Sequence, residues 1–205
     1  MQITAIVVSL AFTAVGIVMT TMAVKHMLGV IRMGQPVVGH TGNPVGRALT
    51  MLKETFLHTR MLQVTWVGVL HWFAYAAFLV LATAVAGAYV QLFNPLFALP
   101  IIGHWPLYTW IAEFLGLLGT LAIIPLIIYR VKNRPSANGR NSRFFGSTMW
   151  QAYFVEAMVL IESSAILFIR GAEYKLLGLN EEVSRAEFPI SQFFSLLYPT
   201  NNEQT

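Results

Sequence analysis

Residues 61–112 read MLQVTWVGVLHWFAYAAFLVLATAVAGAYVQLFNPLFALPIIGHWPLYTWIA, 52 positions without a single Lys, Arg, Asp or Glu. About 20 apolar residues already cross the hydrocarbon core of a bilayer as a helix. The run is therefore too long for one crossing and has to turn within itself. The turn is visible in NPLFALPIIGHWP, residues 94–106, where Asn94-Pro95, Pro100 and Trp105-Pro106 break the helical pattern and place aromatic side chains at a membrane surface.

Three further apolar runs extend this reading. Working outward, the spacing predicts membrane spans at about residues 3–28, 61–93, 108–129 and 148–169. The apolar runs are continuous, not alternating, which excludes a membrane β-barrel. The predicted fold is all-α, a polytopic bundle of transmembrane helices. Hydrophobic residues make up 56% of the 205-residue chain and charged residues only 11%, well below the quarter usual in soluble domains. There is no Cys, so the chain itself holds no disulfide, thiolate metal site or iron–sulfur cluster.

The basic residues set an expected orientation. Lys25, Arg32, Arg47, Lys53 and Arg60 lie between the first two spans, and Arg130, Lys132, Arg134, Arg140 and Arg143 between the third and fourth. Connections of this kind face the cytoplasm. This places the N-terminus outside, in a multi-pass protein of the inner (plasma) membrane. The net charge of +4 follows from these loops and does not indicate nucleic-acid binding. Residues 46–59 have the pattern of an amphipathic helix leading into the second span. Residues 188–198, FPISQFFSLLY, are too short to cross and are expected to lie on the interface. Gly29, Gly68, Gly87, Gly116 and Gly119 are expected at close helix packing.

Ionisable groups within spans are costly and usually functional. His71 lies ten residues into the second predicted span, about 15 Å along it. An imidazole at that depth reads either as an axial haem ligand or as a side chain hydrogen-bonded across helices. His58 sits at the start of the same span. On one straight helix the two rings would point about 140° apart with a rise of about 20 Å. They could then serve two stacked haems but not one iron. His26 lies at the end of the first span, at the depth of His58. His40 and His104 read as loop residues. Met158 reaches the depth of His71, whereas no second histidine does. Glu156 and Glu162, in the fourth span, bracket that depth and suit either proton handling at a quinone site or packing. Glu113 reads as interfacial.

The stretch HTRMLQVTWVGVLHWFAYAAFLVL, residues 58–81, resembles the second helix of the nitrate reductase gamma-subunit family, five-helix quinone-linked cytochrome b proteins. NSRFFGSTMWQAYFVE, residues 141–156, is similar to a bacterial branch in which this membrane domain is fused to an iron–sulfur part like that of heterodisulfide reductase. Within that branch it resembles the membrane-bound electron transfer flavoprotein dehydrogenases. The resemblance spans residues 1–205 as one gamma-like domain. It implies haem b, one or two, with His71 and less securely His58 as axial ligands of the haem iron. It also implies menaquinone as electron acceptor, electron transfer flavoprotein as donor, and Fe–S clusters in a cytoplasmic part absent from this chain. The family's last-helix ligands have no counterpart here, so a fifth helix is expected beyond residue 205. Two other readings stand beside it: a cofactor-free membrane anchor for a soluble reductase, and a small proton-coupled transporter with Glu156, Glu162 and His71 along its path.

Overall fold

The computed structural model describes residues 2–35, 42–94, 97, 99–103, 105–178 and 185–199. His40 and His104, read as loop residues, lie outside them. Among the described residues there are helices and turns but no strand. The α-helices are α1 (Gln2–Arg32), α2 (Pro44–Leu57), α3 (Thr65–Gln91), α4 (Pro106–Lys132), α5 (Pro135–Asn138), α6 (Met149–Gly178) and α7 (Ser191–Phe194). Four of these, α1, α3, α4 and α6, are long and apolar enough to cross a bilayer. The all-α reading holds, and the chain is a multi-pass membrane protein. In lipid each backbone N–H and C=O must be satisfied within its own segment, and uninterrupted helices do this.

The chain forms two compact units, Met1–Leu57 with Ala88–Phe97 and His58–Gly87 with Ala98–Thr205. In the first, α1 buries no residue at all and shows apolar side chains on every side, as suits a helix solvated by lipid. Two hydrogen bonds tie it to the end of α3: Gln2 Nε2 donates to the Leu92 carbonyl (2.9 Å), and the hydroxyls of Thr13 and Tyr89 meet at 2.7 Å. Helix α2 starts where the sequence provides a cap. Asn43 accepts from the Gly46 N–H at 2.9 Å, and Pro44 takes the first helical position.

In the second unit α3, α4 and α6 share a core. One cluster joins Ala74, Ile123 and Leu126 with Val159 and Leu160; the other joins Ala77, Leu81 and Ala112 with Ile166. Lipid tails are as apolar as leucine, so close packing through small residues, not hydrophobic burial alone, draws these helices together. Gly116 faces Ser163 and Ile166 of α6, and Gly119 lies between Ala77 of α3 and Ser163 of α6. Thr120 Oγ1 donates to Ser163 Oγ at 3.1 Å across the same seam. Gly87 packs on Leu99, as expected of a close-packing position. Gly29 does not: nothing lies within 4 Å of where its Cβ would be.

The stretch before α3 departs from the sequence reading. Residues 58–64 do not continue the helix. His58 takes a left-handed backbone conformation (φ 51°), and its carbonyl accepts from the N–H groups of both Met61 and Leu62 at 3.0 Å. A 3-10 turn follows over Met61–Gln63, and α3 begins only at Thr65. The left-handed conformation costs a non-glycine residue about 1–2 kcal/mol. The reversal is possible because Gly68 is bare. A Cβ there would collide with the Met61 carbonyl, so the turn lies directly on the helix backbone.

The glycine seam gives a direct test. A Cβ at position 119 would sit 2.6 Å from that of Ala77 and 3.4 Å from that of Ser163. Gly119→Val is expected to destabilise the protein by about 1–3 kcal/mol through overpacking. Gly29→Val, the same change on an open helix surface, should stay within about 0.5 kcal/mol. Denaturant unfolding in detergent micelles would compare them.

Candidate functional site

At the basic end of the second unit α3, α4 and α6 do not close on each other. Between them lies a cavity of about 880 Å³, a size suited to a cofactor or drug-sized ligand. Val67, Ala74, Phe78, Ile123 and Leu126 give it an apolar lining; Arg60, Arg130 and Arg143 line its charged end, here termed the mouth; His71 and Glu156 line it as well.

Each polar group reaches the cavity by a traceable route. The last turn of α4 holds Arg130 and Lys132, where cations complement the helix dipole. The loop that follows is pinned by Ser142, whose hydroxyl donates to the Asn133 carbonyl and accepts from the Phe144 N–H. This brings the Phe144 ring under the Arg130 guanidinium (4.6 Å) and edge-on to Tyr129, which in turn meets Trp66 of α3. Arg143 is thereby carried to the mouth. Arg130 Nε donates to Glu156 Oε1 at 2.5 Å. The other carboxylate oxygen, Oε2, is buried and has no hydrogen-bond partner among the described residues.

The histidines are arranged otherwise than a straight helix would place them. His71 is six residues into α3, about 9 Å from its start, and so nearer the charged end than the expected 15 Å. The expected separation of His58 and His71 is overturned: their ring centroids lie 5.4 Å apart, and His58 also packs on Tyr75 at 4.2 Å. The cause is the reversal at residues 58–64, which folds His58 back along α3 in place of a rise of about 20 Å. Stacked haems with one imidazole each would require separated rings, whereas these touch. Nδ1 of both histidines is buried and lacks a hydrogen-bond partner among the described residues. Buried imidazole nitrogens are normally bonded, so both rings hold unused hydrogen-bonding capacity, and of the two His71 lines the cavity. His26 lies exposed on α1, in the other unit. Glu162 is half-buried on α6, away from the cavity lining. Met158 is exposed on the same helix.

A second polar centre went unread in the sequence. Glu113, seven residues from the start of α4, is fully buried within the protein. It accepts from Arg170 Nε (2.6 Å), Ser191 Oγ (2.6 Å) and the N–H groups of Ile190 (2.8 Å) and Ser191 (3.0 Å). Arg170 also donates to the Glu187 carbonyl and covers the Phe188 ring. The segment at 185–198 is thus docked onto the bundle, where the sequence predicted an interfacial stretch. Tyr198 donates to the Phe168 carbonyl, and Phe194 stands edge-on to Phe168. The only advance signal was one carboxylate and one arginine, each seven or eight residues inside an end of its helix.

Comparison with known proteins finds no matching family model, no matching curated protein and no matching solved structure.

Because Glu113 has every acceptor site engaged, its loss is expected to be felt at the docked segment first. Glu113→Ala leaves Arg170 with Glu173, at 3.6 Å and half exposed, as its one carboxylate neighbour among the described residues. The cost should be about 3 kcal/mol, the lower end for a broken buried pair. Hydrogen exchange at the Ile190 and Ser191 amides should accelerate well before that in α4.

Proposed function

We propose that the chain is the membrane electron-transfer part of a quinone-linked oxidoreductase, holding one haem b in the cavity at its basic end. The observation that carries this reading is the His71 imidazole, with a buried and unpartnered Nδ1, on the wall of an apolar cavity whose mouth is lined by arginines. An axial imidazole, an apolar slot and cationic groups for two carboxylates are what a haem needs from a protein. The family resemblance at residues 58–81 and 141–156 supports the same reading.

In this proposal His71 is the residue of this chain that would hold the haem iron. His58 backs His71 and fixes its ring. Arg143 offers its guanidinium at the mouth, and Arg130 stays neutralised by Glu156. Val67, Ala74, Phe78, Ile123 and Leu126 keep water from the apolar lining. A bound haem supplies one-electron carriage between a donor and the quinone. Glu156 is the better placed of the two candidate carboxylates for quinone protonation, because its free Oε2 stands at the cavity; Glu162 lies off it. The donor proposed is electron transfer flavoprotein through a cytoplasmic Fe–S part, and the acceptor menaquinone. By the positive-inside rule the basic end faces the cytoplasm and the N-terminus lies outside the plasma membrane.

Haem-replete membranes containing the protein should show a b-type Soret and alpha band in the reduced-minus-oxidised spectrum. His71→Ala should abolish it, whereas Gly29→Val, on an open surface, should not. A protein without these bands, or with unchanged haem content after His71→Ala, would sink the proposal and leave the anchor or transporter readings.

A further inference from the structure

The helix between the first two membrane crossings has an unassigned surface. Along α2, Val45, Leu49, Leu52 and Phe56 recur at steps of four, three and four residues and so form one stripe. The helix buries nothing: Val45 is 67% exposed, Leu49 61% and Phe56 54%. Its other side carries Arg47, Thr50 and Glu54, and Lys53 stands at the edge of the stripe, one turn on from Leu49. A soluble protein rarely leaves such a stripe in water.

Connectivity says what covers it. Residues 33–43 join α2 to the end of α1, and Leu57 is bonded to His58, seven residues before α3 begins. Both flanking helices are long and apolar enough to cross the bilayer, and both meet α2 at ends where basic residues gather. A helix tethered on both sides to membrane crossings is held at the lipid surface. There, an apolar stripe opposite a charged side is the pattern of a helix lying in the plane of the interface, its apolar face about 5–10 Å below the headgroups. We infer that α2 is such an interfacial helix, with its Val45–Leu49–Leu52–Phe56 stripe set into the acyl boundary and its charged side among phospholipid headgroups.

These 205 residues hold no cysteine, so each thiol introduced into the chain is unique within it. Leu49→Cys, Phe56→Cys, Thr50→Cys and Arg47→Cys would each be labelled with an environment-sensitive fluorophore. The 205-residue chain would then be reconstituted into phosphatidylcholine–phosphatidylglycerol vesicles. At positions 49 and 56, lipids spin-labelled high on the chain should quench several-fold more than at 50 and 47, and more than lipids labelled near the chain terminus. Aqueous iodide should show the opposite order. All four sites are exposed, so folding is retained. Equal iodide access at 49 and 50 would overturn the inference. So would protection of 49 and 56 that persists in lipid-free detergent and varies with protein concentration, which identifies a second copy as the cover. Protection that arises only on adding a soluble partner would overturn it too.

Discussion

The seam of small residues between α4 and α6 sets the geometry of the second unit. Gly116 and Gly119 let the backbone of α4 approach Ser163 closely, and Ala77 brings α3 to the same level. Without water to drive apolar surfaces together, this approach supplies most of what holds the helices. The seam ends where the side chains become large and charged. At the level of Tyr129, Arg130 and Glu156 the helices line an open volume instead. Packing at one level and a cavity at the next follow from the same change in side-chain size along three helices.

The two buried carboxylates show how a membrane protein treats charge. Glu113 has four donors, one of them an arginine, so its whole capacity is used in fixing a segment that would otherwise be loose. Glu156, on the cavity lining, has one arginine and an oxygen without a hydrogen-bond partner among the described residues. A fully engaged charge is structure, and a half-engaged one retains capacity for a ligand or a proton. His58 and His71 belong with the second kind.

Much of this architecture was legible in the chain. The four long helices follow from apolar length, and the amphipathic helix follows from its spacing and from Asn43-Pro44. Gly116 and Gly119 announced a close contact, though not with which helix. The cavity was half legible: His71 and Glu156 were evident as costly groups in apolar runs, but the bond of Glu156 to Arg130 was not, since no local pattern pairs residues 26 apart. The reversal at His58 was invisible because a histidine in the left-handed region carries no sequence mark, and Gly68 reads equally well as a contact between helices. The reversal brings His58 to within 5.4 Å of His71, where a straight helix would set a rise of about 20 Å between them. The bonds of Glu113 were not legible, because its partners Arg170, Ile190 and Ser191 are far along the chain and two of the bonds come from backbone amides.

The Glu113 cluster also orders the protein's assembly in time. Its carboxylate is made 57 residues before the guanidinium that neutralises it and 77 before the first amide that completes its shell. During synthesis α4 must therefore enter the membrane with an uncompensated acid near one end, still within reach of headgroup water. The bundle becomes fully bonded only when the last described segment arrives and displaces that water. These helices thus lock through a polar contact, made after the apolar segments that flank it have already been synthesised.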